Sequence, residues 1–125
     1  MRTIESVAIE LKLSQPKSVT TKRELNFTRN PETAVTIPAG TALQVYFSEV
    51  NPSRLFFEYA GSLRILLLVN AHKNVTGFSK PPTARAMQKW EWDSGTCKTP
   101  TGHKTEPDGH GPDGSPSWML VMGYI

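Results

Sequence analysis

The sequence predicts an α+β fold: a small antiparallel β-sheet or SH3-like barrel over residues 1–69, then a short helical, winged-helix-like segment with a Gly/Pro-rich tail over residues 70–125, the two packed as one compact unit. Three observations predict it. The first part carries short apolar runs that alternate with polar residues between turn signals, the mark of half-buried strands. From Asn70 that alternation gives way to helix spacing and helix stop signals. Ten prolines and nine glycines among 125 residues interrupt the chain too often for long helices. A chain of this length falls in the usual range for one domain.

Val7, Ile9, Leu11 and Leu13 alternate with Ala8, Glu10 and Lys12, which predicts a first strand over residues 6–13. "SQPKS" turns the chain. Val35 and Ile37 precede Pro38-Ala39-Gly40, and Leu43, Val45 and Phe47 then alternate with Gln44 and Tyr46, so this stretch reads as strand, turn, strand. After a turn at Asn51-Pro52-Ser53, "RLFFEYAGSLRILLLV" reads as a hairpin, because Gly61 can supply the positive φ that its turn demands. The run Ile65 to Val69 is far short of the roughly 20 residues of a membrane-spanning helix and reads as a buried strand. Cys97 is the only cysteine, so no intrachain disulfide forms, and the N-terminus lacks the unbroken apolar stretch of a signal peptide. The expected location is the cytosol.

A first short helix is expected over Ala71–Thr76, stopping at Gly77, and a second from about Pro82 to Gly95. In the second, Ala86, Met87 and Trp90 form the buried stripe, with Arg85, Gln88, Lys89 and Trp92 opposite. Thr96 to Thr105 reads as a polar hairpin turning at Thr101-Gly102. "EPDGHGPDGSPSW" follows as irregular chain with turns at Asp108-Gly109 and Asp113-Gly114. The final "SPSWMLVMGYI" is read as a short helix with Ser115 as its cap, Pro116 at the first helical position and Gly123 past its end, with an edge strand over "WMLVMGYI" as the alternative.

The order of helix, glycine, second helix with "MQKW", glycine and basic hairpin resembles the winged helix-turn-helix of MerR-type regulators and phage excisionases, over residues 70–104. The resemblance implies that Arg85, Gln88 and Lys89, with Trp92 beside them, enter a major groove, where Arg and Gln make paired hydrogen bonds to guanine and adenine edges. It also implies that His103 and Lys104 of the wing meet phosphate or the minor groove. Charge agrees. Residues 69–104 hold Lys73, Lys80, Arg85, Lys89, Lys98 and Lys104 against Glu91 and Asp93, within a formal net charge of +3 for the chain.

The patterns "GFSKPP", "EPDG" and "DGSPSW" are similar to those of small bacteriophage-encoded proteins, which implies a viral accessory role. Duplex DNA is then the expected partner. A host defence or regulatory protein is the competing one, the protein acting as its inhibitor, and a homodimer is a further expectation. No phosphate-cradling loop, nucleophile elbow or placed carboxylate pair occurs, so the reading is non-enzymatic and without a cofactor. Cys97, His103 and His110 with Asp108 or Asp113 match no zinc spacing, and Cys97 is read as a packing residue rather than a nucleophile.

Overall fold

A computed structural model of the chain describes residues 3–90 and 96–124. It opens with a helix, α1 (Ile4–Leu11), where a strand is expected. Val7 and Leu11 are four residues apart, a spacing that satisfies both a period of two and a period of 3.6. Ile9 separates the two: it is 94% exposed, whereas Val7 is buried. The helix start is locally encoded, since Ser6 N donates to Thr3 Oγ1 at 3.2 Å and Thr3 N donates to Ser6 Oγ at 2.9 Å, a reciprocal cap. Lys12 ends it in the left-handed conformation, φ 50°.

The chain then forms β1 (Lys17–Thr20), a separate hairpin of β2 (Leu25–Phe27) and β3 (Val35–Ile37), and the strands β4 (Ala42–Phe47), β5 (Arg54–Tyr59) and β6 (Ser62–Leu67). One antiparallel sheet has the order β1-β4-β5-β6. It is an open sheet, not a closed barrel. Ala60 and Gly61 at the β5–β6 turn both have positive φ, 53° and 75°, the geometry of a two-residue turn that matches strand twist.

Alternation sorts the sheet's two faces. Leu43, Val45, Phe47, Leu55, Phe57 and Leu66 face one core, which Leu25 and Ile37 cover from the β2–β3 hairpin. On the other face, Phe56 packs beneath Val7 and Leu11 of α1. The main core also takes in Leu68, Ala71, Val75, Trp118 and Val121, so residues on both sides of position 69 share it.

Beyond β6, a 3-10 turn at Leu68–Asn70 leads into α2 (Ala71–Asn74). Val75 bridges Thr21, and Thr76 N donates to Thr20 O at 2.9 Å, so this segment covers the outer edge of β1. An irregular connection runs from Val75 to Thr83, against about three or four residues in a helix-turn-helix unit. Extended pairing at Val75 is what keeps α2 from closing directly onto the next helix.

That helix, α3 (Ala84–Lys89), is capped by Thr83, whose Oγ1 accepts from Ala86 N at 3.2 Å. The remaining elements are β7 (Cys97–Lys98), β8 (Lys104–Thr105) and α4 (Trp118–Val121). The last segment is the expected helix with a different cap: Ser117, not Ser115, accepts from Leu120 N, at 3.1 Å. Among the described residues no helix is long and apolar enough to cross a membrane.

The helical reading of the N-terminus has a measurable consequence. Leu11→Ala should cost about 2 kcal/mol or more in urea denaturation, whereas Ile9→Ser should stay within about 0.5 kcal/mol. Equal costs at the two positions would restore the strand.

Candidate nucleic-acid interface

Met87 fixes how α3 sits. It is buried against Cys97 of β7 and Met119 of α4, with Trp90 packed beside them. At 100° per residue, Arg85 and Lys89 both point about 200° from Met87, away from the hairpin, and Gln88 lies on the flank. All three are exposed, as the sequence predicts. Arg85 and Lys89 are a like-charged pair one turn apart, an arrangement that weakens a helix in isolation. Trp92 lies outside the described residues.

The β7–β8 hairpin forms where expected. Cys97 faces inward and is buried, so its neighbour Lys98 faces out, directly opposite Lys104 in the strand register. Among the described residues neither lysine makes an ion pair. Like charges placed directly opposite across an antiparallel pair disfavour each other, and both side chains are exposed to solvent.

Lys73 and Lys80, also exposed, gather elsewhere. They stand with Lys22 around His72, whose imidazole is held below its ordinary value by burial first and then by these three charges. Lys22 Nζ donates to His72 O at 2.8 Å. The position of Lys22 depends on the bend between β1 and β2, which no local sequence signal announces. The expected basic set is therefore divided: Lys73 and Lys80 gather around α2, apart from the hairpin, whose Lys98 and Lys104 face out, and from α3, whose Arg85 and Lys89 point away from the hairpin. The link between the α2 region and the hairpin is Ser79, whose N–H and Oγ both donate to Pro100 O at the hairpin turn, at 2.8 and 3.1 Å.

His103 lies in the connection of the β7–β8 hairpin, part-exposed, with its Nε2 3.7 Å from Asp113 Oδ2, so the imidazole stands beside an acid of the loop. Asp113 is the hub there. Thr101 Oγ1 donates to its Oδ2 at 2.7 Å, and Ser115 donates to its Oδ1 through both Oγ (2.5 Å) and N (3.1 Å). Burial pushes the Asp113 carboxyl up, but these hydrogen bonds and the nearby His103 outweigh it and hold the group below the usual carboxylate range. Gly114, at φ 86°, gives the chain the left-handed step that brings Ser115 back to the carboxylate. The glycine-rich tail is thus tied at fixed points: Gly111 N donates to Ser115 O at 2.8 Å, and Ser117 N donates to Gly109 O at 3.1 Å.

The chemistry available to these groups is limited. Ser115 and His103 both contact Asp113 and not each other, so no serine–histidine relay is assembled. Burial pushes the Cys97 thiol up, and its Sγ lies against Glu106 O at 3.8 Å with no histidine beside it. Its register partner is Thr105. Among the described residues no three His, Cys, Asp or Glu side chains stand where they could hold a metal ion.

Asp113 carries a pH prediction. A carboxyl with a folded-state value below its unfolded one contributes stability that is present above the unfolded value, about pH 3.9, and is lost as pH falls through the folded one. Asp113→Asn should therefore lower the melting temperature at neutral pH and flatten the acid limb of the stability–pH curve. An unchanged acid limb would remove Asp113 from its place as the loop's hub.

No protein-family model, curated protein or solved structure matches the chain, so its reading rests on the geometry above.

Proposed function

We propose that this protein is a non-enzymatic accessory protein, of the phage-encoded kind, that binds duplex DNA with the β7–β8 hairpin and the outward face of α3. The observation that carries the reading is the Lys98–Lys104 pair, two exposed ammonium groups opposite each other with no carboxylate partner among the described residues. A phosphate between them turns a repulsive contact into two attractive ones. Arg85 and Lys89 repeat the motif on α3, one helical turn apart. With Gln88 on the flank, Arg85 supplies the side-chain types that read purine edges.

Three phosphate contacts from Lys89, Lys98 and Lys104 imply that log K falls against log salt with a slope of roughly −3, at about −0.9 per contact. Binding of a mixed-sequence duplex across a salt series tests this. Lys98→Ala with Lys104→Ala should weaken all duplexes alike and reduce the slope by about 2. Arg85→Ala or Gln88→Ala should each cost roughly 1–3 kcal/mol on a sequence selected from random duplexes, with non-specific binding nearly intact. A flat salt series would sink the DNA reading and leave the inhibitor of a host protein in its place.

A further inference from the structure

The two edges of the sheet are treated differently. The edge of β1 is covered, since Thr76 N donates to Thr20 O and Thr20 N donates to Thr76 Oγ1. The edge of β6 is bare. Tyr59 and Ser62 close a two-residue turn, and Leu68 N donates to Ser53 O at 3.0 Å, so the hydrogen-bonded positions of β6 are Ser62, Arg64 and Leu66. Leu63, Ile65 and Leu67 alternate with them. Their N–H and C=O groups point away from β5, and among the described residues nothing pairs with them. Ile65 and Leu67 are also 40% and 49% exposed on the sheet's outer face. A bare six-residue edge with apolar side chains is what proteins ordinarily avoid or use.

A groove of ≈ 250 Å³ runs along this edge between β6 and the β2–β3 connection, lined by Leu63, Ile65, Phe27, Thr33, Arg29 and Arg64. Its character at one end is set by Arg64, whose side chain is only 6% exposed. Nε donates to Tyr59 O at 3.2 Å, Nη1 donates to Thr33 O at 2.6 Å, and the guanidinium carbon stands 5.9 Å over the Phe27 ring. These contacts hold the plane rigid but leave its charge without a carboxylate. Arg29 adds a second cation from the connection, and Glu32 of the same connection forms an ion pair with neither. Glu58 of β5 is engaged elsewhere, accepting from Ile4 N at 3.0 Å.

We infer that the β6 edge is a docking site for an extended peptide segment of a partner protein, which adds as a further strand and sets an Asp or Glu side chain against Arg29 and Arg64. Main-chain hydrogen bonds to Leu63, Ile65 and Leu67 supply attachment, and the two guanidinium groups select an acidic strand. A second copy of this chain fits the charge poorly, because β6 itself carries an arginine and no carboxylate to offer. The site is separate from the hairpin and α3, so it stands or falls independently of DNA binding.

Selection of the full chain against a random dodecapeptide display library tests the inference. The expected peptides alternate apolar residues and contain Asp or Glu, and on binding they slow amide hydrogen exchange at Leu63, Ile65 and Leu67. Ile65→Pro removes an outward N–H while sparing the β5 ladder, and Arg29→Glu reverses the exposed charge. Each should weaken the selected peptides by about tenfold or more, a difference of about 1.4 kcal/mol. Arg29→Glu should also bind better to the same peptides with Lys in place of the acid. DNA binding should be untouched by both changes. The inference is overturned if no peptide is selected, if selected peptides bind Ile65→Pro and Arg29→Glu as well as the parent, or if the free chain already protects those amides in proportion to its concentration, which would assign the edge to a second copy.

Discussion

Burial of Trp118 is the contact on which the rest of the C-terminal half depends. The open sheet presents an inner face of Leu43, Val45, Phe47, Leu55, Phe57 and Leu66, and among the described residues no long helix covers it. The cover is assembled from pieces: the β2–β3 hairpin, the turn of chain around α2, and Trp118 with Val121 on a helix of four residues. A helix that short has no stability of its own in water. It forms because Ser117 caps it and because its indole, 2% exposed, is removed from solvent in the main core.

Once Trp118 is anchored, its neighbour Met119 is committed to the other side of α4, where it meets Met87 and Cys97. That one contact orients both α3 and the β7–β8 hairpin. Their charged faces look outward because their apolar residues are taken up inside. Proximity of Lys98 to Lys104 is then a matter of strand register, set by a hairpin whose inward residue is Cys97.

The two ends of the molecule handle buried polarity in different ways. In the C-terminal loop, Thr99, Ser115 and Ser117 are fully buried and all find partners, with Asp113 taking donors from three directions and staying ionised for that reason. At the far end of the sheet, Arg64 is buried against two carbonyls and an aromatic ring, which satisfies geometry without neutralising charge. A part-buried acid surrounded by donors is a structural hub. A buried cation without an acid is a site that an incoming group can complete.

Elements with local chemistry were legible in the sequence. The β5–β6 hairpin follows from Ala60-Gly61, the terminal helix, though not its cap, from Pro116 and Gly123, and the exposure of Arg85, Gln88 and Lys89 from their spacing to Met87. The first element was misread because Val7 and Leu11 fit both periods, and only the sheet residue beneath them, Phe56, decides which side of the chain is wanted. β1 and β2 carry almost no signal, since "KSVT" and "LNF" become strands only by pairing with β4 and β3. The neighbour of His103, Asp113, was not foreseen, since it lies ten positions along the chain and the turns read at Asp108-Gly109 and Asp113-Gly114 do not say which side chains they bring together.

By itself, then, the sequence determined the hairpin turns, the basic composition of the region from Asn70 to Lys104, and the mixed α+β character. These depend on residues within a turn or two of one another, where backbone preference and side-chain spacing act directly. Tertiary structure alone decided which lysines stand together, that His103 stands beside Asp113, and which sheet edge is left bare. Those outcomes depend on register and burial among segments far apart in the chain, and no short stretch of sequence contains both partners of such a contact.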